Sequence, residues 1–145
     1  MTPVPHRLRY ALSACAVAGI RITPDRRRLL EELAAAVVPS VVEELVRALA
    51  AVTGAHAVTF YRFIGQLEAC GIVHRISLRQ RRAVMLSCEA IDYLVCVECG
   101  SLTQLDEPPE LRSWQAALAS RTGYRLARHW HELAGICPGC QSRNP

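Results

Sequence analysis

Four cysteines in two short pairs, Cys96-x2-Cys99 and Cys137-x2-Cys140, are the strongest chemical signal in the chain. Two such pairs can wrap one tetrahedral ion, each offering two thiolates from a tight turn; Cys99-Gly100 and Pro138-Gly139 supply the turn residues that a knuckle of this kind needs. A site of four thiolates is closed and saturated, which suits structural Zn(II) rather than catalysis. Two disulfides or a redox dithiol are the alternative, and an expected cytoplasmic location without thioredoxin-like context favours zinc. Cys15 and Cys70 sit in apolar helical patterns and read as inert core thiols. His129, His131 and Glu132 lie close together but lack HExxH spacing. With no open three-ligand site and no nucleophile–base pair, an enzyme is excluded.

The elements that must position these groups follow from periodicity. Residues 6–18 read as a helix stopped by Gly19. Thr23-Pro24 is an N-cap with proline at the first helical position, opening a helix through Val37 with Leu29, Leu30, Leu33, Ala34 and Val37 on its apolar face. Ser40-Val41-Val42-Glu43 reads as a capping box for a third helix, which Thr53-Gly54 ends; Val42, Leu45, Val46 and Leu49 form its buried stripe. A fourth helix, 56–70, places Phe60, Ile64 and Leu67 on one side and a polar stripe, Thr59, Arg62 and Gln66, on another. Two β-rich runs, Ile72–Leu78 and Ala83–Cys88, flank the basic tip Arg79-Gln80-Arg81-Arg82. Helices followed by a hairpin with a basic tip is the layout of a winged helix, and a small helical bundle with solvated arginines is its rival. Beyond residue 88 the pattern is β-β-α-β: Tyr93–Val97, Ser101–Leu105, a helix over Glu110–Ser120 and a strand over Gly123–Trp130. So small a module has little core of its own, and pairing with a second copy is a natural way to bury its sheet.

Charge divides at the same point. All 17 basic residues are arginine, 12 of them against 6 acids in residues 1–87 and 5 against 7 acids in residues 88–145. A basic first part and an acidic second part imply two modules, the first facing an anion. A composition 51% hydrophobic and 21% charged excludes a disordered tail. Leu12-Ser13-Ala14-Cys15 imitates the box before a lipid-modified cysteine, but the apolar run between Arg9 and Cys15 is too short for a secretory signal or a membrane span. A buried helix and a cytoplasmic protein with no membrane partner are expected.

Four stretches, in order along the chain, carry a family likeness: Arg21-Ile22-Thr23-Pro24-Asp25-Arg26, Val58-Thr59-Phe60-Tyr61-Arg62, Cys96-Val97-Glu98-Cys99-Gly100, and His129 through Cys140. Together they resemble the ferric uptake regulator family. The resemblance implies an α+β chain: a winged-helix DNA-binding domain over residues 1–88, then a small α/β dimerisation domain over residues 89–145 holding the four-cysteine zinc site. It implies a homodimeric, metal-dependent repressor on a palindromic DNA operator, with Thr59, Tyr61, Arg62 and Gln66 on the recognition helix. Arg62 would serve a guanine edge or a phosphate, and Tyr61 a thymine methyl.

The departures from that pattern narrow the effector. The histidine-rich stretch usual before the first cysteine pair is Glu89-Ala90-Ile91-Asp92-Tyr93 here, the histidine usual before the third helix is replaced by Val37-Val38-Pro39, and Asp25 stands where glutamine is usual. His74 and Cys88, at the two ends of the hairpin, resemble regulatory zinc ligands of the zinc uptake regulators. A nitrogen and a thiolate there suit Zn(II) better than Fe(II). Asp92, Asp106, Glu107 and His129 are candidate further ligands to this second zinc. The alternative is a member that has lost metal sensing, keeps only the structural zinc, and binds DNA constitutively or in response to oxidation of Cys88.

Overall fold

The chain divides into two compact units, Met1–Glu89 and Ala90–Pro145, in a computed structural model that describes residues 3–78, 81–88, 92–105, 109–125 and 132–143. In the first unit four helices precede a hairpin: α1 (Val4–Val17), α2 (Pro24–Ala35), α3 (Val42–Thr53), α4 (Ala57–Ala69), then β2 (Val73–Leu78) and β3 (Arg81–Leu86). The two-residue strand β1 (Ser40–Val41) completes an antiparallel sheet in the order β1-β3-β2. Thr23 caps α2 by accepting from the Arg26 N–H, with Pro24 at the first helical position. Gly54 ends α3 at φ 73°, a left-handed conformation that glycine takes without a Cβ clash.

The core of this unit is continuous. Leu29, Leu30, Leu33 and Ala34 of α2, Val42, Val46 and Leu49 of α3, and Phe60, Phe63, Ile64 and Leu67 of α4 are buried against Val73, Val84 and Leu86 of the sheet. Cys15 is also fully buried, in α1, and burial pushes its thiol above the ordinary value. Arg7 is buried too, although its charge has no acidic partner among the described residues. Its Nη1 donates to the Ala36 carbonyl at 2.6 Å, and Nη2 lies 3.5 Å from the Leu33 carbonyl. The guanidinium thus serves the open carbonyls at the C-terminus of α2, where a cation is favoured.

Several local expectations are corrected. The capping box at Ser40–Glu43 does not form: Ser40 and Val41 pair with Val84 and Ala83, and α3 starts with Val41 as an N-cap that makes no side-chain bond. Extended pairing claims the backbone that a cap would have needed. Helix α2 ends at Ala35, so Val37 lies past its stripe and is exposed. Cys70 is exposed rather than a core thiol, because α4 closes at Ala69 and leaves it at the C-cap. Arg81 and Arg82 belong to β3 rather than to a loop; Arg79 and Gln80 lie outside the described residues.

The second unit is a sheet in the order β5-β4-β6, with β4 (Asp92–Cys96) antiparallel to β5 (Leu102–Leu105) and parallel to β6 (Glu132–Gly135). Parallel strands need a long crossover, and α5 (Pro109–Thr122) lies in it. Side chains of β4 alternate, Tyr93 and Val95 buried and Leu94 exposed. The strand expected over Gly123–Trp130 is corrected in part. Gly123 to Arg125 are irregular, since Gly123 at φ 73° follows the end of α5; residues 126–131 lie outside the described set, and the third strand is β6. A four-residue helix, α6 (Pro138–Gln141), closes the unit. Among the described residues, no helix is long and apolar enough to cross a membrane.

Candidate metal centre and nucleic-acid interface

Parallel pairing of β4 with β6 brings the two cysteine pairs together. Cys96, last in β4, is in register with Gly135, last in β6, and the Val97 N–H donates to the Gly135 carbonyl at 2.9 Å. The chain leaving β6 reaches Cys137 two residues later, beside Cys96, and α6 returns Cys140 to the same point. In the first knuckle the Gly100 N–H closes on the Cys96 carbonyl at 2.8 Å, with Gly100 at φ 75°. Replacing Gly100 with a residue bearing a Cβ would strain this turn.

The four Sγ atoms of Cys96, Cys99, Cys137 and Cys140 lie within 4.8 Å of one another, and Cys99 Sγ to Cys137 Sγ is 3.7 Å. Four sulfurs at about 2.3 Å from a tetrahedral Zn(II) stand about 3.8 Å apart, so the donor set fits that ion. A disulfide requires about 2.05 Å, and all seven cysteines are free thiols. The surroundings of Cys96 and Cys99 favour thiolate. The Cys137 N–H donates to Cys96 Sγ at 3.3 Å, and this contact is the main reason the Cys96 thiol is drawn down to about 6. Ser101 Oγ lies 3.2 Å from Cys99 Sγ and holds that thiol below its ordinary value. Burial pushes Cys140 up to about 11; against it Arg143 donates from Nη2 to Cys140 Sγ at 3.0 Å and from Nε to the Gly139 carbonyl at 3.0 Å. The sequence reading missed Arg143. Its spacing three residues beyond Cys140, within reach across one helical turn, was the available signal.

Helix α4 carries the second site. Its Phe60, Phe63, Ile64 and Leu67 are all fully buried, which fixes the opposite side toward solvent. There Tyr61, Arg62 and Gln66 are exposed, Tyr61 by 38%, while Thr59 is half-buried at the edge. Two helical turns thus present an aromatic ring, a guanidinium and an amide on a rigid backing. His74 is buried on β2 opposite Met85, whereas the Ser87 N–H bonds the Ile72 carbonyl, so Cys88 falls one residue further. Cys88 is half-buried against the core. Asp92 begins β4; Asp106, Glu107 and His129 lie outside the described residues. His6 and His56 are exposed.

Residues 17–134 match the ferric uptake regulator family. The chain belongs to that family. Its members are transcription regulators rather than enzymes, and they bind DNA operators as dimers. The ferric uptake regulation protein of Neisseria meningitidis is 33% identical over 87 residues, covering 59% of this chain, which spans only 60% of that relative. The solved ferric uptake regulator of Vibrio cholerae superposes with a TM-score of 0.66 at 28% identity, over 86% of this chain and 98% of that one. A zinc uptake regulator solved with zinc and DNA superposes with a TM-score of 0.63 over 99% of this chain and 98% of its own; at 21% identity this likeness is one of fold.

Proposed function

We propose that this family member is a metal-responsive transcriptional repressor. It binds a palindromic operator as a homodimer, reads DNA through Thr59, Tyr61, Arg62 and Gln66, and holds one structural Zn(II) at Cys96, Cys99, Cys137 and Cys140. The observation that carries the reading is the solvent-facing stripe of α4, backed by a fully buried apolar face and followed by a β hairpin. In that arrangement a helix can enter the major groove while the strands reach the backbone. The bound zinc would tie β4, β6 and α6 together through thiolates, which in this unit replaces much of a hydrophobic core. Residues 1–88 are the DNA-binding part of this reading and residues 89–145 the dimerisation part.

The reading extends to the effector in two forms. In the first, a second Zn(II) binds through His74 and Cys88 with ligands drawn from Asp92, Asp106, Glu107 or His129, and the ion-bound form has the higher operator affinity. The second keeps only the structural ion, and the protein binds DNA constitutively or in response to oxidation of Cys88. Selection of binding sites from random duplexes, followed by titration of the selected operator, tests the DNA reading. Arg62→Ala should weaken operator binding by about 1–3 kcal/mol per half-site without lowering the melting temperature. Full operator affinity in that variant refutes the stripe. Zinc content per chain then separates the two forms: two ions, one easily removed and required for operator binding, support the sensor. One tightly held ion, with binding indifferent to added zinc, supports the second form.

A further inference from the structure

Where the last turn of α4 meets the hairpin, one carboxylate receives two guanidinium groups. Glu68 accepts from Arg75 of β2, through Nε at 3.3 Å and Nη2 at 3.4 Å, and from Arg82 of β3, through Nε at 3.2 Å and through Nη2. Both arginines use the Nε–Nη2 edge, so each makes a two-pronged contact with the same acid. The Glu68 side chain is only 17% exposed, against 29% for Arg82 and 60% for Arg75. Next to this trio Arg81 of β3 pairs with Glu44 of α3 at 2.8 Å. The arginines at 75, 81 and 82 therefore each carry an acid supplied by a helix.

The position of the trio gives it a bearing on DNA. Glu68 lies seven residues beyond Tyr61, two turns along the same side of α4, so the face that carries Tyr61 runs directly into the clamp. Two cations on one anion present a net charge of +1, one less than two free arginines would present. Partly exposed ion pairs of this kind contribute little to stability, so their larger consequence is where the charge points. Phosphate contacts carry no sequence information, and each one adds about 0.9 to the steepness of the salt dependence of binding. An arginine turned inward onto Glu68 is one that does not take a phosphate.

We infer that Glu68 is a positioning residue that restrains sequence-independent DNA binding, by holding Arg75 and Arg82 on the protein instead of on the DNA backbone. The inference rests on the DNA-binding reading above. Removing the carboxylate charge while keeping the side-chain shape frees positive charge at the hairpin. Non-operator DNA gains most, because its binding consists almost wholly of phosphate contacts.

The test uses the full chain with its metal, a selected operator and a non-operator duplex of equal length, titrated by fluorescence anisotropy between about 50 and 200 mM salt. Glu68→Gln should tighten non-operator binding by on the order of tenfold at ~0.1 M salt and steepen the log–log slope by about 2, one unit for each arginine released. Adding Arg75→Ala and Arg82→Ala to Glu68→Gln should return both quantities to the wild-type values. Loosening of the fold alone would weaken binding without steepening the slope. A second variant stands independently of the first: Arg75→Ala with Arg82→Ala in the wild-type background should leave the slope unchanged. A slope shallower by about 2 in that variant would mean that both arginines already contact phosphate, and the inference falls. An unmoved slope in folded Glu68→Gln overturns it equally, while leaving the DNA reading in place. Wild-type protein that binds no duplex overturns both.

Discussion

Stripping the metal from the four-cysteine site should unfold the second unit and leave the first folded. Among the described residues, the buried apolar side chains of the second unit are Tyr93, Val95, Cys96 and Cys140, and two of those four are metal ligands in our reading. Burying Tyr93 and Val95 contributes about 2–3 kcal/mol each. Ordering backbone opposes this at about 1–2 kcal/mol per residue, so the five residues of β4 alone offset it. Closed thiolate sites bind zinc with apparent free energies of about 10–16 kcal/mol, and free zinc at ~1,000 times Kd adds about 4 kcal/mol to the folded form. The first unit has no comparable dependence, since its core runs unbroken from α2 through α4 to the sheet. The assay is hydrogen exchange before and after chelation, with a thiol reductant present so that oxidation plays no part. Protection should collapse at the Cys96 amide, bonded to the Ser101 carbonyl, and at the Val97 amide, bonded to the Gly135 carbonyl. It should persist at the Ser87 amide, bonded to the Ile72 carbonyl. If elemental analysis shows the metal gone and the Cys96 and Val97 amides exchange no faster, the argument that the ion stands in for a core is refuted.

Three further outcomes are expected. Arg143→Ala should speed loss of zinc to a chromogenic chelator on the order of 10- to 100-fold, the range for an outer partner of a metal ligand; an unchanged rate means that the contact with Cys140 is idle. Arg7→Ala should destabilise the first unit by about 3 kcal/mol in urea, because it removes a charged donor from a carbonyl at the end of α2 and leaves a void at a buried position; a loss under ~1 kcal/mol would show that water serves that carbonyl equally well. Burial pushes Glu68 up, but the hydrogen bonds and charges of Arg75 and Arg82 outweigh it and leave the carboxyl below its ordinary value near 4.5. A carboxylate depressed in the folded state stabilises above the unfolded pKa and loses that contribution as pH falls through the folded one. The stability difference between wild type and Glu68→Gln, from urea melts, should therefore be constant above about pH 5 and shrink below it; a difference that grows on acidification has the wrong sign.

What the sequence made legible was local and chemical. Thr23-Pro24 and Gly54 mark helix ends by side-chain and backbone preferences that act within a few residues, and they appear as read. The two cysteine pairs announce their chemistry by spacing alone. What brings them together does not: the register of Cys96 with Gly135 is a parallel pairing across about forty residues of chain, and no local pattern encodes it. The same long-range pairing explains the failures. Ser40 had the side chain for a cap, and the sheet took its backbone; Gly123 was read into a strand when the strand that pairs with β4 begins at Glu132.

The arginines show how far a count of charges can stand from the charge a surface offers. Residues 1–87 carry 12 arginines against 6 acids, which reads as a basic face. In the fold, Arg7 is buried on carbonyls, Arg26 lies 4.9 Å over the Phe63 ring, and Arg27 and Arg28 meet Glu31 and Glu32 within one helix. Glu68 and Glu44 take Arg75, Arg82 and Arg81. Arg62, like Arg9, Arg21 and Arg47, has no acidic partner among the described residues, and of these four it is the one that stands on the exposed stripe of α4. A net charge spread evenly over the unit would attract any polyanion. A cation without an acid on an exposed face of a rigid helix, followed by hairpin arginines that acids hold, favours contact with DNA through that helix. This is why Arg62 and Glu68, four and two residues from the intervening Gln66, are expected to move binding in opposite directions.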